Sequence, residues 1–264
     1  MLSQRVLSAV IMLPIVLVAT YVGGPWFFAL VAVVALGAGY EYLLLLRRGG
    51  YAVNWALTLA LIALFLVDAL YPNARIAGGG LALIGMALMT WQVLAGNAPG
   101  SLASWALNLA GAIYVGWSAS HFVSLRALDR GLYWLILAFA ITWICDSGAY
   151  FVGRARGKTP FFPKISPKKT REGAIGGAIS GVLTGLVGGL LMGLPWYHGL
   201  ALGVLGTLGS TFGDLSESVI KRQIGVKDSS HLIPGHGGVL DRVDSLLFNV
   251  VIVYYYAYWM LGVR

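Results

Sequence analysis

Leu132-Tyr-Trp-Leu-Ile-Leu-Ala-Phe-Ala-Ile-Thr-Trp-Ile-Cys-Asp-Ser-Gly-Ala-Tyr-Phe151 is a run of twenty residues with one charge, Asp146. A strand uses about five or six residues. About 20 apolar residues is the length at which an α-helix crosses the hydrocarbon of a bilayer. The same pattern recurs on both sides of this run. Apolar segments read at about 5–23, 25–46, 52–71, 75–94, 102–124, 132–151, 174–194, 199–217 and 245–262. The 264-residue chain is 58% hydrophobic and only 11% charged, against about 25% charged in soluble domains. Its mean hydropathy is +0.80. A water-soluble globule and a disordered chain are both excluded by these values. The expectation is an all-α, polytopic integral membrane protein of about nine transmembrane helices. Little chain is left for loops, so chemistry has to be done by short loops and helix ends.

Orientation follows from the basic residues, which collect in cytoplasmic loops. With the N-terminus in the cytoplasm, 14 of the 18 Lys and Arg fall inside. The other four, Arg75, Arg126, Arg130 and Arg264, fall outside. The net charge of +8 therefore reads as topology and leaflet charge, and nucleic acid is not an expected partner. The N-terminal run lacks a small-residue cleavage site and reads as an uncleaved first span. The single Cys145 can form no internal disulfide. Residues 1–130 read as scaffold helices and 131–264 as a catalytic region with cytoplasmic loops 152–173 and 218–244. Most of the 36 glycines, eight of them between Gly173 and Gly193, read as close helix packing.

Acidic residues are not explained by topology. Seven of the ten lie between Asp146 and Asp244. A carboxylate at membrane depth costs about 2.5–3.5 kcal/mol unless paired or hydrated, and marks function by default. Asp146 follows an apolar run, where it is either functional or paired with Arg154 or Arg156. Asp214 shares a helical face with Glu217 and Ser218 at i+3 and i+4. Asp241 and Asp244 stand three apart at the start of the last segment. Converging carboxylates without clustered Cys or His call for a hard cation, Mg²⁺ before Zn²⁺. Two basic clusters flank them. One is Ser166-Pro-Lys-Lys-Thr-Arg-Glu-Gly173, at a helix N-terminus suited to an anion. The other runs through Lys221-Arg222 and Lys227 to Arg242, with glycines around His236. Each cluster alone also fits a solvated basic loop.

Other motifs fail. Gly153-Arg-Ala-Arg-Gly-Lys-Thr159 has three residues between its glycines where a P-loop needs four, and it follows no strand. His231 and His236 are poorly spaced for zinc, and no nucleophile elbow is present. Carboxylates, a divalent cation and Lys/Arg clusters suit phosphoryl or nucleotidyl transfer between a lipid and a soluble polyphosphate. The rival from another class is an ion-coupled transporter. Its charges would sit at the midplane, whereas these gather at one face. A nearer rival is a membrane lipid phospho- or nucleotidyltransferase with another acceptor.

The stretch Ser218-Val-Ile-Lys-Arg-Gln-Ile-Gly-Val-Lys-Asp-Ser-Ser-His-Leu-Ile-Pro-Gly-His-Gly-Gly-Val-Leu-Asp-Arg-Val-Asp244 resembles the signature of the phosphatidate cytidylyltransferase (CDP-diacylglycerol synthase) family. Asp146-Ser-Gly-Ala-Tyr150, Gly153-Arg154, Gly157-Lys158 and Ser166-Pro-Lys-Lys-Thr170 are similar to a second block. The likeness covers about 146–245; earlier residues match only as hydrophobic spans. Arg171 departs from it, where an aromatic residue is expected. The resemblance implies CTP and phosphatidic acid as substrates, and CDP-diacylglycerol and diphosphate as products. It implies a Mg²⁺ ion, alone or with a second cation, held by Asp214 and Asp241 with Asp244 and Asp146 as further ligands. Lys221, Arg222, Lys227 and Arg242 would hold phosphates, with Ser218 beside them. Ser166, Lys168, Lys169 and Thr170 would hold the lipid phosphate or the CTP tail. His236 would contact phosphate or shape its loop. A homodimer in the bacterial inner membrane, with its active site facing the cytoplasm, completes the expectation.

Overall fold

The computed structural model describes residues 2–96, 98–230, 232 and 237–264. It is helical almost throughout. The helices are α1 (Leu2–Val22), α2 (Gly24–Arg48), α3 (Trp55–Leu70), α4 (Ile76–Leu94), α5 (Ser101–Gly111), α6 (Ser118–Ala127), α7 (Gly131–Arg156), α8 (Arg171–Leu191), α9 (Trp196–Gln223) and α10 (Leu240–Tyr255). A π-helical turn, Ala112–Trp117, joins α5 to α6, and another, Tyr256–Met260, continues α10. Each of the nine apolar segments contains a helix. Among the described residues, α2, α4, α7 and α8 are long and apolar enough to cross a membrane. With the shorter apolar helices they make an all-α membrane protein.

Several helices run beyond their apolar segments. The seventh helix continues to Arg156 and the ninth to Gln223. Hydropathy falls at the first charges, but backbone hydrogen bonding does not stop there. Asp146 therefore lies ten residues before its helix end, about 15 Å along the axis at 1.5 Å per residue. Ser218, Lys221 and Arg222 are helical residues, not loop residues.

The chain divides into two compact units, Met1–Ser124 with Gln223–Val243, and Leu125–Arg222 with Asp244–Arg264. In the first, Leu43, Leu46, Leu61, Ile62, Phe65 and Val115 are buried apolar residues. A fully buried Asn108 ties three stretches together. Its Oδ1 accepts from Asn54 N at 3.0 Å and Thr58 Oγ1 at 2.9 Å. Its Nδ2 donates to Ala52 O at 2.9 Å and Ser104 O at 2.7 Å. Every polar atom of that amide is thus satisfied, as burial requires.

The second unit is built on glycine. Gly173, Gly177, Gly181, Gly185 and Gly189 fall every fourth residue along α8, and all are buried. A Cβ at Gly185 would stand 2.2 Å from Gly203 Cα of α9, so only backbone fits there. The other face of α8 exposes Ile175, Ile179, Leu183, Val187 and Leu191. This is the small-in, large-out pattern of a helix that packs closely and meets lipid outside. Between α7 and α8 lies an apolar groove of 760 Å³, lined by Tyr133, Leu137, Ile144, Leu183 and Leu191 among others. Before α8 sits a hairpin of β1 (Pro160–Phe162) and β2 (Ser166–Thr170), paired antiparallel with Pro160 opposite Thr170 and Phe162 opposite Ser166.

Candidate active site

The second unit places a cluster of charged groups where α7, α8, α9 and α10 meet. Two close approaches create it. A Cβ at Gly177 of α8 would come within 2.9 Å of Cys145 O, one residue from Asp146. A Cβ at Gly213 of α9 would come within 2.7 Å of Asp244 O on α10. Side chains at those glycines would hold the helices apart. Without them, Asp214 and Asp244 become neighbours, and both Asp214 and Asp146 act on Asp244 electrostatically. Asp244 stands just before the last apolar segment and is buried. Burial pushes its carboxyl well above the usual carboxylate range. The charge of Asp214, and more weakly that of Asp146, adds to the rise, against the Ser245 N–H and Lys221. Its Oδ1 accepts from Ser245 N at 2.6 Å.

Basic groups reach this cluster from two directions. Lys169, on β2, pairs with Asp214 Oδ2 at 2.5 Å. Lys221, one turn beyond Glu217 on α9, pairs with that buried carboxylate. An ammonium has three donors, so this pairing is compatible with a phosphate contact. Ser218 Oγ lies 3.4 Å from Asp214 Oδ1, at the long limit of a hydrogen bond. Arg222 donates from Nε to Ile165 O at 3.1 Å, which ties the hairpin turn to the end of α9.

The hairpin sets where its lysines stand. Thr170 is the N-cap of α8, extended at φ −114° and ψ 153°, and its hydroxyl accepts from Gly173 N at 3.1 Å. Glu172 reaches back to accept from Lys158 N at 3.1 Å and Thr159 Oγ1 at 2.9 Å. The residues expected to bind an anion therefore divide. Thr170 is engaged as a cap, Lys169 faces Asp214, Ser166 is half-buried, and Lys168 is exposed.

The first unit holds the other part of the signature. Lys227 and Arg242 are exposed. Asp241 opens α10, and its Oδ2 accepts from Ser229 N at 3.0 Å, Ser229 Oγ at 2.8 Å and Gly238 N at 2.8 Å. A carboxylate offers about four lone-pair sites, so organising this loop does not preclude ligating a cation. His236, and the rejected zinc candidate His231, lie outside the described residues. Sequence reasoning left out Glu41, a fully buried carboxylate of α2 bonded to this same loop. The signal was present: a lone acid inside the apolar run 25–46, to which the rule for intramembrane charges applies as it does to Asp146.

The donor set around Asp244 suits Mg²⁺. Among the described residues it offers the hard carboxylate oxygens of Asp244, Asp214 and Asp146, the ligand type that Mg²⁺ prefers. Among the described residues, no three His, Cys, Asp or Glu side chains group closely enough to hold an ion alone.

Comparison with known proteins matches residues 3–260 to the model described as "Cytidylyltransferase family". The chain belongs to the cytidylyltransferase family. It is 41% identical to a phosphatidate cytidylyltransferase of Pseudomonas aeruginosa over 266 residues, 93% of each chain. It is 34% identical to one from Synechocystis, covering 99% of this chain and 98% of the relative. It is 33% identical to one from Bacillus subtilis, covering 96% and 97%. Membership thus extends over the N-terminal helices, beyond the motif region. It makes the chain an enzyme of nucleotidyl transfer.

Proposed function

We propose that this protein makes CDP-diacylglycerol and diphosphate from CTP and phosphatidic acid. A phosphate oxygen of the lipid forms a bond to the α-phosphorus of CTP, and the bond from that phosphorus to the β-phosphate bridging oxygen breaks. The observation that carries the reading is the meeting of Asp214, Asp244 and Lys169 at the start of the last apolar segment, in a chain whose relatives act as phosphatidate cytidylyltransferases. Asp214 and Asp244, with Asp146 and Asp241, are the residues to hold Mg²⁺, alone or with a second cation. When bound, the ion offsets charge between two anions that repel each other.

The chain's own residues do the rest. Lys169 and Lys168 lead one phosphate to the carboxylates, and Ser166 stands beside them. Lys221, Arg222, Lys227 and Arg242 neutralise the remaining phosphate charge, with His236 and Ser218 alongside. No covalent enzyme intermediate is required, because positioning and charge stabilisation suffice for such transfers. The surplus of Lys and Arg in the loops between 152 and 244 supports a site facing the cytoplasm, with the N-terminus on that side. Bacterial relatives support the inner membrane. The resemblance supports a homodimer.

Detergent-purified protein supplied with labelled CTP, phosphatidic acid and Mg²⁺ is expected to release CDP-diacylglycerol and diphosphate in equal amounts. Product with a different lipid acceptor, and none with phosphatidic acid, would reassign the substrate. No CTP binding with Mg²⁺ present would end the reading.

A further inference from the structure

In the first unit, the carboxylate of Glu41 is fully buried on α2, and each of its oxygens is bonded to the signature loop. Oε1 accepts from Ser230 Oγ at 2.5 Å and from Val239 N at 2.9 Å. Oε2 accepts from Ser229 Oγ at 3.1 Å and from Leu240 N at 2.7 Å. A carboxylate in an apolar helix is costly, and α2 itself gains nothing from it that a leucine would not supply. All four donors belong to residues almost two hundred positions away in sequence. Two stand at the start of the loop and two at its end, so one side chain fastens both ends. The loop is shaped for it: a Cβ at Gly238 would lie 2.4 Å from Glu41 Oε2 and 1.9 Å from Ser229 Oγ. The Ser229 hydroxyl, with a single hydrogen to give, also lies 2.8 Å from Asp241 Oδ2, so Glu41 and Asp241 share one donor. The amides of Val239 and Leu240 open α10, where a negative charge is favoured by the helix dipole.

We infer that Glu41 is a positioning residue for catalysis: it closes the loop whose flanks, Lys227 and Arg242, hold the phosphates of the nucleotide. This rests on the proposed function. A region that sequence comparison by motif treats as scaffold thereby sets the geometry of the substrate loop.

The test is Glu41→Gln. The glutamine has nearly the same size, but each carboxylate oxygen accepts one backbone amide, so its NH₂ must confront the N–H of Val239 or Leu240. A charged hydrogen bond lost in this way is expected to lower kcat/KM for CTP about ten-fold or more. The amides of Val239 and Leu240 should exchange hydrogen faster, with helicity unchanged. A role confined to holding α2 would lower Tm and leave kcat/KM of the folded protein intact. Unchanged kcat/KM with unchanged amide exchange overturns the inference. Ser230→Ala provides a second route if Glu41→Gln does not fold. It removes one donor without touching α2, and should lower kcat/KM by a few-fold and loosen the Val239 amide; wild-type values on both counts also overturn the inference. Wild-type turnover of CTP and phosphatidic acid in the same assay separates the two claims. If it fails, the functional reading fails; if it succeeds and the variants match it, the positioning role alone is lost.

Discussion

Two groups of carboxylates in this molecule are treated in opposite ways. In the first unit, Glu41 and Asp241 are surrounded by donors: four donor groups face one and three face a single oxygen of the other, with the Ser229 hydroxyl shared between them. In the second, Asp244 is buried beside Asp214 with Asp146 also acting on it, and burial and like charge push its carboxyl upward. The difference separates two uses of a buried acid. Where hydroxyls and backbone amides already meet the charge, the acid fastens a loop, as Glu41 does with both oxygens and Asp241 with one; for Asp241 this stands beside its proposed hold on the ion. Where acids are set against one another, Lys169 pairs with Asp214 and Lys221 acts on Asp244, and the proposed Mg²⁺ would add further positive charge.

The sharpest way to break this comparison is to neutralise the second group. Asp214→Asn and Asp244→Asn should each reduce turnover by more than about 100-fold, since even the outer partners of a bound metal are worth 10–100-fold. Stability should move the other way for Asp244→Asn. Removing a buried, repelled charge raises Tm in the absence of Mg²⁺, and the variant should lose the Mg²⁺-induced rise in Tm that linkage gives the wild type. Turnover at the wild-type level in either variant removes that residue from the ion. A lower Tm for Asp244→Asn without Mg²⁺ would mean that the second group is as well satisfied as the first.

Much of the fold was legible because hydrophobic length is a strong signal. All nine apolar runs hold helices, and the Gly173–Gly189 row faces its neighbours as its four-residue spacing implies. Helix ends were less legible. Arg156 and Gln223 close helices that hydropathy ended earlier, since charged side chains can decorate a helix after it leaves the hydrocarbon. Within the second unit, Asp244 is buried beside Asp214 with Asp146 acting on it, but among the described residues no three such side chains group closely enough to hold an ion. What no local pattern could give was long-range pairing. Lys169 finds Asp214 through the hairpin, and Glu41 finds Ser229 and Ser230 across most of the chain. Both depend on which helices pack, and sequence spacing carries no such information.

A finer test asks whether the basic residues of the hairpin act as a set or singly. Lys169 is half-buried against Asp214, while Lys168 is exposed. Lys169→Ala removes the ammonium paired with Asp214 and should raise KM for one substrate about ten-fold, the worth of one hydrogen bond to a charged group. Lys168→Ala, in a solvated position, should raise it less. Equal effects would show that the lysines contribute net charge, not a placed contact, and would weaken the case for a built site on this side.

The smallest effect concerns the cap. Thr170 stands in the motif as a candidate substrate contact, yet its hydroxyl is engaged by Gly173 N at the start of α8. Loss of an N-cap costs about 0.5–2 kcal/mol. Thr170→Ala should therefore lower Tm modestly, and Thr170→Ser should restore it, because serine offers the same oxygen. If the hydroxyl is only a cap, kcat/KM follows the small loss of order in the hairpin, at most a few-fold. A large drop in kcat/KM at unchanged Tm would return Thr170 to the substrate. It would also place the hairpin with the group that awaits positive charge, where the donors still have work to do when substrate arrives.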